Sequence, residues 1–286
     1  MSEPVLRMRC HAMGVTLGPD DLVLSSGSLD NPPIEVLVEA AVLGGFAGLT
    51  LWPAVYPADP AIGERIRDAD LTVVDMDAVI VWVGPDDPGG PYYEEAPREA
   101  VFEAAAALGA AGVNSLLVCP GSATKEQAVE AMASLADQAA DIGADVYMEF
   151  SRNRPIPDPA TSAEVVAATG RANCGLTVDF WHVFYGPGDF ADFAAIPGYL
   201  IGAIQLNDAP SEPPEDLGWA TRYLRCVPGE GAMDLSGALR TIRGAGCQAP
   251  ITLEVFDSGR LEALGPVGFA RLLGDATRRL LAELDS

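Results

Sequence analysis

The sequence predicts an α/β fold, a closed (β/α)8 TIM barrel, from three observations. A unit of alanine-rich helix, small-residue turn and short β-branched or leucine-rich run recurs along the chain. Apolar runs bounded by turns and separated by helical stretches read as buried parallel strands. The first run is followed by SSGSLDNPP, which lacks the GxGxxG expected of a doubly wound sheet.

In chain order, LVLSS near Leu22 opens the barrel, and VEAAVLGGFAGLTLW (Val38–Trp52) supplies a helix and the run from Gly48. LTVVD, from Leu71, is the third strand. FEAAAALGAAGVNSLLVCP (Phe102–Pro120) carries the run from Ser115, and LADQAADIGADVYMEF (Leu135–Phe150) carries the run from Asp145. VVAATGRANCGLTVDF (Val165–Phe180) leads to the run from Gly175, and GAIQL begins at Gly202. LRTIRGAGCQAPITLEVF (Leu239–Phe256) ends in the run from Ile251, and a last helical pattern fills Phe269–Leu284. Each run is followed by a helical pattern. Eight βα units in about 260 residues suit one closed barrel. A single domain is therefore expected over residues 1–286, with residues 1–20 an extension that plugs or edges it. Two long connections, Gly84–Pro97 and Asp208–Asp234, are expected over the C-terminal mouth, where specificity elements sit.

Composition narrows the function classes. Hydrophobic residues make up 49% of the 286, too many for a disordered chain. No apolar run approaches the roughly 20 residues of a membrane-spanning helix. No export signal is visible, so the expected location is the cytoplasm. A net charge of −24, from 41 acidic against 17 basic residues, disfavours nucleic acid and anionic membranes as partners. A small molecule is the expected partner, and assembly into a homo-oligomer is left open.

Lys125 is the only lysine and falls at a predicted helix start, which argues against Schiff-base chemistry. The five cysteines (Cys10, Cys119, Cys174, Cys226, Cys247) include no CxxC pair and read mostly as small core residues. The two histidines, His11 and His182, cannot build a three-imidazole site.

Barrel strands deliver their last residues to the catalytic face. Strand five ends in Glu149, strand six in Asp179 and strand eight in Glu254, while strand seven carries Gln205. Three carboxylates side by side in an apolar barrel repel one another unless a cation lies between them. An all-oxygen set suits one hard divalent ion, Mn²⁺ or Mg²⁺, better than zinc. His182, three residues beyond Asp179, is the best general acid/base near neutral pH. Arg225 reads as a holder of a substrate hydroxyl or carboxylate, with Arg152 and Arg154 weaker versions of the same idea. Trp52, Trp82, Phe180 and Trp181 lie at or near strand ends, either as walls for a sugar face or as plain core. His11 reads as structural.

From about Asp21 onward the chain resembles the xylose isomerase-like TIM-barrel superfamily of sugar isomerases and epimerases. The segments that carry the resemblance are VYMEF with Glu149, LTVDFWH with Asp179 and His182, IQLND with Gln205, RCVPGEG with Arg225 and ITLEVF with Glu254. The resemblance implies Glu149, Asp179, Gln205 and Glu254 as ligands of one divalent ion, with His182 and Arg225 lining the substrate site. Many ketose epimerases have His where this chain has Gln205; a Gln there resembles inosose and 3-dehydroshikimate dehydratases.

The expected function is enolisation of an unphosphorylated α-hydroxyketone, a ketose or keto-polyol, by an isomerase or epimerase, with Glu149 or Glu254 moving the proton. The alternative is a dehydratase, a lyase in which His182 protonates the departing hydroxyl. A non-catalytic ligand-binding barrel is the alternative from another class.

Overall fold

A computed structural model describes residues 17–84, 96–118, 123–152 and 154–284. Eight parallel strands close into a barrel, each hydrogen-bonded to its neighbours in sequence and the last to the first. They are β1 (Leu22–Ser25), β2 (Gly48–Leu51), β3 (Thr72–Trp82), β4 (Gly112–Val118), β5 (Asp145–Glu149), β6 (Cys174–Asp179), β7 (Ile201–Leu206) and β8 (Ile251–Leu253). The main helices are α1 (Ile34–Gly44), α2 (Pro60–Asp68), α3 (Arg98–Leu108), α4 (Lys125–Asp141) and α5 (Pro159–Ala168). They are followed by α6 (Phe180–Phe184), α7 (Leu217–Ala220), α8 (Leu235–Gly244) and α9 (Ser258–Leu284).

Local chemistry sets these boundaries. Asp59, Asp158 and Asp234 cap α2, α5 and α8, and Thr124 with Gln127 forms a capping box on α4. The buried stripe of α1 is Leu37, Ala40, Ala41 and Gly44, the spacing of one helix face. At Gly44 and Gly274 side chains are absent for a reason: a Cβ on Gly274 would lie 2.5 Å from the Gly44 carbonyl oxygen, so α1 and α9 touch through backbone.

Seven strand starts agree with the sequence to within one residue, β4 begins at Gly112 rather than Ser115, and three other elements differ in extent. β3 continues from the expected LTVVD through Trp82, with a register shift between Met76 and Val79 against β4. Helical structure begins at Ser258 rather than Phe269, and bends at Gly265 (φ 67) and Pro266, which interrupt the apolar period. Only five residues of α6 follow β6 before Gly186-Pro187-Gly188 ends it and 3-10 turns take over. Lys125 does open α4, paired on the surface with Glu164. Cys174 and Cys247 are buried and Cys226 half-buried.

Cys10, His11, Cys119 and most of the Gly84–Pro97 connection lie outside the described residues. Of the expected 1–20 extension, only residues 17–20 are described, and Leu17 packs against Val23, Val74 and Ala111. No helix among the described residues is long and apolar enough to cross a membrane.

Candidate metal centre

Register decides which side chains share the barrel mouth. In a parallel sheet, residues directly opposite point the same way, and so do residues two apart on one strand. Glu149 lies opposite Thr177, and Asp179 two residues on lies opposite Gln205. Gln205 lies opposite Thr252, two residues before Glu254. The pleat therefore sends all four strand-end oxygens to one face.

His182 joins them from α6. Its Nε2 is 3.2 Å from Glu149 Oε1 and 3.5 Å from Asp179 Oδ2. Asp179 Oδ1 caps α6 by accepting the Trp181 amide at 2.9 Å and also accepts the Asn207 amide at 2.7 Å. That cap fixes the turn which carries His182. Glu149, Asp179 and His182 together present ligand atoms within 4.8 Å of one another, a group able to hold a metal ion.

Arg225, only 4% exposed, lies between two of the acids. It reaches Asp179 Oδ2 at 2.9 Å and Glu254 Oε2 at 2.8 Å, while its Nε donates to the Thr221 carbonyl. Its guanidinium also stacks 4.6 Å from the Phe256 ring centroid. The loop that delivers Arg225 is anchored by Asp208, whose carboxylate accepts the amides of Gly229, Gly231 and Met233. A Cβ on Gly231 would lie 2.3 Å from Asp208 Oδ1, so only glycine permits this approach. The same bonds occupy the glycine-loop amides that would otherwise cradle a phosphate.

Asp77, on β3, completes the arrangement and was not anticipated. It accepts from Asn114 Nδ2 at 2.7 Å and from Gln205 Nε2 at 3.1 Å. Asn114 Nδ2 also donates to Glu149 Oε2 at 2.6 Å, and Thr177 fixes the Asn114 carbonyl. With the Gln205 amide nitrogen committed to Asp77, its buried Oε1 has no hydrogen-bond partner among the described residues. The alternation Asp75-Met76-Asp77 was the available signal, missed because the third strand was expected to end at Asp75.

Charge is unbalanced here. Asp77, Glu149, Asp179 and Glu254 crowd the mouth, where Arg225 pairs with Asp179 and Glu254 and His182 with Glu149 and Asp179. Burial, with the neighbouring acids, pushes Asp77 well above the usual carboxylate range and Glu254 up to about 7, although Arg225 opposes the latter. Burial likewise raises Asp75 to about 6. Burial alone would raise Glu149 too, but His182, Asn114 and Arg225 outweigh it and hold the carboxyl below its ordinary value. His182 is raised: the charge of Asp179 and the bond to Glu149 overcome burial. An excess of buried carboxylates and an unpartnered amide oxygen fit a hard divalent cation.

Above this floor opens a cavity of about 360 Å³. Trp52, Arg152, Arg154, Trp181, His182 and Arg225 line it, as do Tyr185 and Arg222, which the sequence did not single out. Phe180 is instead fully buried, packed on Phe190, and Trp82 lies off the cavity wall.

Residues 38–274 match the family described as xylose isomerase-like TIM barrel. The chain is 32% identical over 154 residues to a 3-dehydroshikimate dehydratase of Pseudomonas aeruginosa, a match covering 52% of this chain and 24% of that one. It is 25% identical over 134 residues to an inosose isomerase of Bacillus velezensis, covering 46% and 47%. The match therefore spans about a quarter of the first relative and about half of the second. A crystal structure of an IolI protein with a bound zinc atom superposes with a TM-score of 0.79 at 18% identity, over 92% of this chain and 99% of that one.

Proposed function

The chain belongs to the xylose isomerase-like TIM-barrel family, and on that premise we propose that it is a divalent-metal-dependent enzyme which enolises an α-hydroxyketone, acting as an isomerase or epimerase on a ketose or keto-polyol. The observation that carries this reading is the convergence of Glu149, Asp179, Gln205 and Glu254 on one mouth with more negative charge than Arg225 and His182 offset. Those four oxygen donors would hold Mn²⁺ or Mg²⁺, which when bound would supply Lewis acidity toward a ketone. Its ionised state supports Glu149 as the group that takes the proton α to the ketone. Glu254 approaches from a non-adjacent strand and can return a proton to the other face or the next carbon. Arg225 keeps Glu254 and Asp179 apart and oriented, and Trp52 lines the cavity.

Gln205 and the match to a 3-dehydroshikimate dehydratase favour a second outcome from the same first step. In that reading the enolate expels a β-hydroxyl, and His182, raised above the ordinary imidazole range, donates the proton that leaves with it as water.

Incubation with ketoses, inososes and other cyclic ketones in deuterium oxide tests both. Solvent deuterium should enter the α-position, with product mass otherwise unchanged for an isomerase and one water lost for a dehydratase. Dehydration also creates a conjugated ultraviolet chromophore. Turnover with no change at any hydrogen-bearing carbon next to a carbonyl contradicts both outcomes.

A further inference from the structure

The cavity is electrically two-sided. Asp77, Glu149 and Glu254 line it from the barrel strands and the end of β8, while Arg152, Arg154 and Arg222 line it from the connections after β5 and β7. On a chain of net charge −24, several surface arginines pair with acids, as in Arg65–Glu35, Arg171–Asp137, Arg260–Glu230 and Arg278–Asp275, and others donate to neutral oxygens, as Arg98 does to Gln138 and Arg271 to the Leu43 carbonyl. Arg225 is likewise committed to Asp179 and Glu254. Arg152 and Arg222 border the cavity instead. Neither guanidinium forms an ion pair among the described residues, and Arg152 makes only a long 3.5 Å contact to the Tyr185 carbonyl oxygen. They come from different loops, after β5 and after β7, yet border one space. Tyr185 lies between those loops, its hydroxyl donating to the Pro210 carbonyl and its own carbonyl accepting from Arg152.

Unpaired cations retained on the wall of a cavity in so acidic a protein make a local well for an anion that the rest of the surface repels. Two planar guanidinium forks suit a carboxylate, which accepts paired N–H donors. A phosphate fits less well, because the glycine-loop amides nearby already donate to Asp208. We propose that Arg152 and Arg222 form a carboxylate clamp, and that the substrate is therefore a polyhydroxy keto-acid: its ketone and adjacent hydroxyl face the acidic floor and its carboxylate faces the rim. This rests on the mouth being the reaction site, and goes further by choosing an acid over a neutral ketose or inosose.

The clamp is tested by binding rather than turnover. Calorimetric titration of the Mn²⁺-loaded protein would compare quinate and gluconate, one cyclic and one open-chain acid, each with its neutral amide. At least one acid should bind about tenfold or more tightly than its amide, the size expected for a charge-assisted contact. Arg152→Gln and Arg222→Gln should each shrink that preference and the double variant should erase it, leaving amide affinity unchanged. Both side chains are exposed, so the variants keep the fold.

Equal binding of acid and amide, no binding of any of the four, or a preference that survives in the double variant overturns the clamp. Tighter binding of a sugar phosphate than of either acid also overturns the carboxylate assignment. Deuterium exchange into a neutral ketose without any acid preference would leave enolisation standing and remove the clamp. An acid preference without exchange on any ketone would do the reverse.

Discussion

At the N-terminal ends of the strands, Leu17, Val23, Val74 and Ala111 form a small apolar cluster apart from the main core. At the C-terminal ends, Glu149, Asp179, Gln205, Arg225 and Glu254 are just as buried and are all polar. The first end is stabilised by removing apolar surface from water, at about 25 cal/mol per Å². The second carries the desolvation cost of several ions and recovers it only through close pairing. The same strands and register thus give a base that serves stability and a mouth that carries an electrostatic cost. Substitutions at the two ends should have opposite signatures.

Glu254→Gln gives the largest contrast. It removes a candidate ligand charge and a candidate proton-transfer group together, so kcat/KM should fall by about a thousandfold. Melting temperature in the absence of metal should hold or rise near pH 7, because burial and the neighbouring acids raise this carboxyl to about 7 and its charged form costs stability. Loss of both activity and stability would contradict the separation of roles.

Arg225→Gln should behave otherwise, leaving Asp179 and Glu254 buried without their partner. Urea denaturation of the metal-free variant should show a loss of about 3 kcal/mol. Mn²⁺ should restore much of that loss, since a cation can serve in place of the guanidinium.

His182→Gln separates two ligand sets. If Glu149, Asp179, Gln205 and Glu254 hold the ion, elemental analysis should find metal content near that of the native chain while turnover falls about a hundredfold. Loss of the metal would instead make His182 a ligand with Glu149 and Asp179.

Leu17→Ala, at the apolar end, should cost about 2 kcal/mol in urea and leave turnover and metal content unchanged. Asp145, at the start of β5, sharpens the comparison with the smallest effect. Burial pushes its carboxyl from 3.8 to about 6, so the folded state binds this proton more tightly than the unfolded chain. Its contribution is complete below about pH 4 and is lost as pH rises through about 6. Asp145→Asn should therefore stabilise the protein by about 1 kcal/mol at pH 7 and have no effect near pH 4.

The barrel was legible because its strands are runs of a few apolar residues punctuated by glycine, a local property. The strand-end acids were legible for the same reason: Glu149 and Asp179 are the last residues of β5 and β6. What escaped depends on distant neighbours. Asp77 lies past the point where LTVVD was expected to stop, and only the closed sheet brings it against Gln205 and Asn114. Arg225 comes from a long connection, so nothing in its spacing encodes two ion pairs inside the mouth. Asp208 holds that connection through the amides of Gly229 and Gly231, a contact set by glycine's missing side chain rather than by any periodic pattern.

The central assignment, an acidic mouth completed by a divalent cation, is tested most directly by stripping the protein with a chelator and measuring turnover and thermal unfolding on one sample. Turnover should vanish and the melting temperature should fall, and Mn²⁺ or Mg²⁺ should restore both while Na⁺ at matched ionic strength should not. Full turnover by the stripped protein would contradict it.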